Sequence, residues 1–179
     1  MKKKFDEIFV KLDQVGMVVP PDQVEQLKEN LMDVFEMAQD EASGGTLGRH
    51  ANTVFRGQAQ EPGPAVRMDF FNKKGFPVEL EFLSPIDGNS AWMEYHKKFQ
   101  KGIHHIRFNV SSHADAVRYM ADHGIGVYHV ADSPRGPGIK FAYFDSYEKL
   151  GFYIETINLA EFENVPVEED AGERGESTP

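Results

Sequence analysis

G-I-H-H-I-R-F-N-V, residues 102–110, alternates apolar and polar side chains behind a pair of histidines. A period of two is the mark of a β-strand with one covered face. The chain continues as S-S-H-A-D-A-V-R-Y-M-A-D-H-G (111–124), which reads as a helix with Ser112 as its cap, Asp115 three places on and Gly124 as its stop. Strands follow at about 126–131, 138–144 and 151–158. S-P-R-G-P-G-I-K (133–140) is the hairpin connection between two of them, since it lacks the strand-to-helix setting of a phosphate-binding loop. The order is βαβββ.

The first half of the chain repeats that order. K-L-D-Q-V-G-M-V-V (11–19) is a strand, and Val24, Leu27, Leu31 and Phe35 then recur at helical spacing behind Asp22 and Glu25, a capping-box-like start. A glycine-rich, weakly patterned stretch (42–64) leads to strands at 66–72 and 77–83, joined by a K-K-G turn. The halves also end alike, in G-F-P-V-E-L-E-F-L-S (75–84) and G-F-Y-I-E-T-I-N (151–158). A duplicated βαβββ unit predicts an α+β fold of two tandem modules forming a curved-sheet cleft. Module one spans 11–85 and module two 102–159 of a domain covering 11–159. An N-terminal extension (1–10) precedes it, and a tail (160–179) follows.

Composition narrows the function. The 179 residues include no cysteine, so neither disulfides nor thiolate chemistry is available. The net charge is −10, which argues against nucleic acid as a partner. Seven acids (Glu161, Glu163, Glu168, Glu169, Asp170, Glu173 and Glu176) stand against Arg174 alone in the tail, which is too polar to pack and is expected to be disordered. The body is thus only mildly acidic and can receive a small anion. M-K-K-K-F-D-E-I-F-V lacks the apolar core of a signal peptide, and no run reaches the ~18 apolar residues of a membrane span, so a cytoplasmic protein is expected.

Strand parity selects candidate site residues. His105 shares a face with Arg107 and Asn109, while His104 falls with Ile106, Phe108 and Val110 on the core side. Gln14 lies on one face with Gly16, Glu79 and Glu81 share a face opposite Leu80 and Phe82, and Glu155 sits within an otherwise apolar strand. Carboxylates placed so need a metal or another cation as partner.

The βαβββ duplication, with E-F-L-S-P-I-D-G-N-S-A (81–91), G-I-H-H-I (102–106) and L-G-F-Y-I-E (150–155), resembles the vicinal oxygen chelate superfamily. Glyoxalase I, methylmalonyl-CoA epimerase, extradiol dioxygenases and bleomycin-resistance proteins belong to it. The likeness covers about residues 10–159, and the spacing from Glu81 to the paired histidines is nearest the epimerases. It implies a divalent metal held by the first and last strands of each module. Carried over by position, the metal ligands are Gln14, Glu81, His105 and Glu155, with Glu79 as the alternative to Glu81. Gln14 stands where epimerases carry histidine, giving a set like that of glyoxalase I and unlike the two-histidine iron site of dioxygenases. Four N/O ligands suit Ni, Co, Mn, Mg or Zn with two positions open.

The resemblance implies an isomerase or epimerase that removes a proton next to a carbonyl, acting on an acyl-CoA or other thioester, in a homodimer. The alternatives are a glyoxalase I-like lactoylglutathione lyase and a non-catalytic small-molecule binding protein of the same fold. Glu155 is the candidate base, and Glu61 falls near the position of an epimerase catalytic glutamate. Lys97, Lys98 and Lys101 are candidates for coenzyme A phosphates, and Trp92 and Tyr95 for the substrate mouth. His50, His96, His113, His123 and His129 show no ligand spacing.

Overall fold

The structure, a computed structural model, describes residues 3–40, 46–133 and 138–158. A short helix α1 (Phe5–Ile8) leads into β1 (Phe9–Val18), and helix α2 (Val24–Phe35) follows. Then come β2 (Ala38–Gln39), β3 (Thr46–Arg49), β4 (Val54–Phe55), β5 (Gln58–Ala59), β6 (Ala65–Asn72) and β7 (Glu79–Asp87). Helix α3 (Ala91–Phe99) links to the second half: β8 (Gly102–Val110), α4 (His113–Asp122), β9 (Val127–Asp132), β10 (Lys140–Phe144), the single-turn α5 (Tyr147–Leu150) and β11 (Tyr153–Ile157).

All strands join one sheet in the order β2-β6-β7-β1-β8-β11-β10-β9-β4-β5, with β3 also on β6. The fold is α+β, an open sheet of two like halves. In each half the first strand pairs in parallel with the last, β1 with β7 and β8 with β11. The halves meet where β1 and β8 run antiparallel, so the modules pair within this chain.

Alternation along the strands divides the side chains between two faces. On one face, α2 covers Phe71 and Phe82 with Val24 and Leu31, and α4 covers Val110, Phe144 and Ile154 with Ala116 and Met120. On the other, α3 seats Trp92 and Tyr95 against Val66, Met68 and Leu83 of the first half and Phe141, Tyr143 and Tyr153 of the second. Burying a side chain of this size stabilises by ~1.5–3 kcal/mol, so the shared layer fastens the halves together.

Local signals are met unevenly. Ser112 caps α4, its side chain accepting from Asp115 N at 3.3 Å, and Gly124 adopts φ +67° just beyond the helix. Asp22 does not cap α2. Gln23 holds the cap position without a side-chain bond, because a turn closed by Gln23 N to Pro20 O (3.0 Å) starts the helix instead. β1 begins at Phe9, inside the expected extension, and Ile8 and Phe9 are buried with Phe108 and Tyr119. The weakly patterned stretch supplies β3 to its own half, but β4 crosses over to pair with β9 of the other. The acidic tail lies outside the described residues.

Candidate metal centre

Four adjacent strands, β7, β1, β8 and β11, each bring one donor to the middle of the sheet. Gln14 and His105 are fully buried, and Glu81 and Glu155 are each 5% exposed. His105 Nε2 is 2.7 Å from Glu155 Oε2, 3.4 Å from Glu81 Oε2 and 3.1 Å from Gln14 Oε1. One donor atom each from Glu81, His105 and Glu155 fall within 4.8 Å of one another. The strand opposite makes room for the imidazole. Gly16 faces His105 across the β1–β8 pair, and a Cβ there would lie 2.0 Å from His105 Cε1.

Strand register separates Glu79 from Glu81. Gln14 is level with Glu79 on β7, and His105 is level with Tyr153 on β11. Equating the two first-strand donors therefore matches Glu79 with Tyr153 and Glu81 with Glu155. The echo between G-F-P-V-E and G-F-Y-I-E is two residues out of step with the pairing. Glu79 instead accepts a 2.6 Å bond from Gln14 Nε2, which turns the Gln14 carbonyl oxygen toward His105. Glu61 is exposed in the connection between β5 and β6 and stands outside the cluster.

The central strands depart from strict alternation at three places, one of them at Val10, between Phe9 and Lys11, and the other two beside the cluster. Leu12 and Gln14 face the consecutive Phe108 and Arg107, so Asp13 is an extra residue on β1; Gly16 and Met17 face His105 and Ile103, so His104 is an extra residue on β8. Such bulges re-aim side chains. His104 consequently leaves the face of Phe108 and Val110 and packs among Tyr95 (5.2 Å), Tyr143 (5.2 Å) and Tyr153 (4.9 Å), correcting the expectation from parity. Its Nδ1 lies 3.1 Å from His105 Nδ1, and burial holds it neutral, well below the usual imidazole range. Asp13 likewise reaches Arg107, accepting from its Nε at 2.8 Å. Burial works against the Arg107 charge, but Glu155, Asp13 and Glu79 more than offset it and the group stays cationic.

A cavity of about 20 Å³ lies against the cluster, lined by Glu81, Glu155, Arg107, Tyr143, Trp92 and His50 among others. That is room for one water or ion, which needs ~10–15 Å³. Tyr143 accepts from Trp92 Nε1 at 3.1 Å, and burial together with Glu155 and Glu81 keeps its phenol protonated. Two buried carboxylates at such a space, with the His105 imidazole and the Gln14 amide oxygen beside them, fit a divalent cation: hard and borderline ions take this donor set, and the carboxylates need the charge.

The remaining candidates are scattered. Lys97, Lys98 and Lys101 are exposed near the end of α3, with Lys98 3.7 Å from Glu148 and Lys101 donating to Gln23 at 2.9 Å. Trp92 and Tyr95 are buried, and Trp92 lines the cavity. Sequence reasoning passed over Arg107 as a wall residue, although it shares the His105 face, and set aside His50, which nothing local marks.

The sequence matches the profile of the glyoxalase/bleomycin resistance protein/dioxygenase superfamily over residues 13–143. The chain belongs to this superfamily. A methylmalonyl-CoA epimerase from Mycobacterium tuberculosis superposes with TM-score 0.59 at 16% identity, covering 89% of this chain and 96% of that one. A variant of the Streptomyces coelicolor methylmalonyl-CoA epimerase in complex with 2-nitronate-propionyl-CoA gives TM-score 0.52 at 18% identity, over 83% of this chain and 96% of that one. A methylmalonyl-CoA epimerase in complex with methylmalonyl-CoA and ammonium gives TM-score 0.52 at 19% identity, over 83% and 93%. At these identities the likeness is one of fold. No curated protein matches the sequence. Among the described residues, no helix of this superfamily member is long and apolar enough to cross a membrane.

Proposed function

We propose that this chain is a divalent-metal-dependent epimerase or isomerase that moves a proton next to the carbonyl of an acyl thioester. The observation that carries the reading is the buried Glu81–His105–Glu155 group with Gln14 beside it. Gln14, Glu81, His105 and Glu155 would hold the ion, which acts as a Lewis acid on the substrate carbonyl when bound. The chain's own residues do the rest. Glu79 orients the Gln14 amide, and Gly16 leaves the space in which the His105 ring lies. Trp92, Phe141 and Tyr143 wall the cavity and exclude water, which strengthens every charge interaction inside.

Glu155 is the base in this reading. It is buried, points at the cavity and can accept a proton from the carbon next to the carbonyl. Arg107, level with it on β8, places a buried positive charge beside it. Glu61 is exposed, and no contact ties it to this chemistry. Support for a thioester substrate comes from the solved epimerases with coenzyme A ligands.

Gln14 favours a second reading, a lyase acting on a glutathione hemithioacetal, because the Gln/Glu/His/Glu set is the one the glyoxalase I resemblance implies. Incubation with Mn²⁺ in deuterated water separates them. Deuterium should enter C2 of methylmalonyl-CoA if the first reading holds. Turnover of the hemithioacetal of methylglyoxal alone would favour the second, and inertness toward both would sink both.

A further inference from the structure

Three charged side chains line the inner cavity, and one of them has the sign of the ion. Glu81 and Glu155 are its carboxylates, and among the described residues Arg107 is its one cation. Arg107 is 4% exposed and fixed in place: Nε donates to Asp13 at 2.8 Å, and Nη2 lies 3.6 Å from Glu79 Oε1. Glu155 is level with it on β11, and Gln14 is level with it on β1. The guanidinium therefore stands among Asp13, Glu79 and Glu155 and shares the cavity with Glu81. Strand β8 thus delivers a ligand, His105, and two positions later a positive charge on the same side.

That charge is permanent, because a guanidinium keeps its proton at any working pH. Its effect changes sign with the state of the centre. Without an ion, Arg107 offsets carboxylates that burial would otherwise penalise. With a divalent cation at Glu81 and Glu155, two positive groups share a space poor in water, where like charges repel strongly. We propose that Arg107 sets how tightly this centre holds its ion, steadying the carboxylates in the ion's absence and repelling the ion once it enters. The donors alone would then hold the ion more tightly than the protein does. The assignment rests on the metal-ligand set of the reading above and is independent of the reaction. An ion pair with only a structural role would act the other way, since its loss would loosen the strands and weaken the ion.

Arg107→Met nearly keeps the length of the side chain and removes its charge, while Arg107→Lys keeps the charge. Mn²⁺ uptake by equilibrium dialysis, and thermal melts with and without Mn²⁺, are compared with wild type. Arg107→Met should bind Mn²⁺ at least ~10-fold more tightly, the direction and scale of a removed like charge. Without Mn²⁺ it should melt below wild type, because its carboxylates have lost their partner. Arg107→Lys should bind within about threefold of wild type. The proposal is overturned by an Arg107→Met chain that binds Mn²⁺ no more tightly than wild type, or melts no lower without it. Arg107→Lys binding as tightly as Arg107→Met would overturn it too, since shape and not charge would then be responsible. A wild type that takes up no divalent ion overturns the metal centre and this assignment together. Should Arg107→Met unfold, Asp13→Asn leaves the guanidinium in place without its Nε partner. Uptake should then fall about threefold or more, and unchanged uptake would overturn the proposal.

Discussion

The two first strands, β1 and β8, carry the same device with different residues in it. Each places a donor, Gln14 or His105, and two positions later a companion on the same face, Gly16 or Arg107. Because the strands run antiparallel, donors and companions cross: His105 lies opposite Gly16, and Gln14 opposite Arg107. The absence of a side chain at one crossing admits an imidazole, and a buried guanidinium fills the other. The last strands differ in the same way, with Glu79 bonded to Gln14 in one half and Tyr153 packed beside His104 in the other. Duplication thus preserves where a donor stands, while the neighbour that orients it is chosen separately in each half.

Adding one methyl group to the empty crossing should break this comparison most severely. Gly16→Ala puts a Cβ into the His105 ring, with overpacking expected to cost ~1–3 kcal/mol. Divalent-ion affinity should fall with it, because the ring must move; denaturant melts and Mn²⁺ titration read the two effects. Unchanged affinity would mean that His105 is not held against Gly16.

A smaller effect distinguishes the second half's histidine-rich wall. His129 is fully buried beside Trp92, and burial, with His50 nearby, lowers its pKa from 6.5 to about 3. Between those values the unfolded chain binds the proton that the folded chain refuses. Stability should therefore fall as pH drops below 6.5, by up to about 1.4 kcal/mol per pH unit from this ring. His50 and His104, also shifted downward, act in the same direction. His129→Phe should flatten the slope of stability against pH between 6 and 4; an unchanged slope would remove His129 as a contributor.

The helix starts give the smallest contrast. Ser112→Ala should cost about 1 kcal/mol through loss of its bond from Asp115 N. Asp22→Ala should stay within about 0.5 kcal/mol, since α2 starts from a backbone turn. Equal losses in thermal melts would show that Asp22 caps after all.

Much of this was legible because alternation is local. Residues 102–110 displayed a strand, its covered face and the polar side of His105, and S-S-H-A-D displayed a capped helix. Bulges are not local in that sense. The extra residues Asp13 and His104 become visible only once β1 is laid against β8, so parity sent His104 to the wrong face and gave no hint that Asp13 meets Arg107. The Glu79/Glu81 ambiguity had the same origin, because sequence echoes count residues while pairing register decides which are level. His50 was illegible for a further reason: its ring is fixed by the Asp132 carbonyl, 82 positions along the chain.

Equilibrium dialysis of the chain against Mn²⁺, with and without substitution, tests the central claim most directly. Wild type should take up one ion at the group formed by Glu81, His105 and Glu155. His105→Ala and Glu81→Gln should each weaken uptake by at least ~100-fold, while Glu79→Gln, at a residue that orients Gln14 and does not hold the ion, should weaken it by ~10-fold. A wild type that binds no divalent ion after reconstitution, or a Glu79→Gln chain as impaired as Glu81→Gln, would contradict the account.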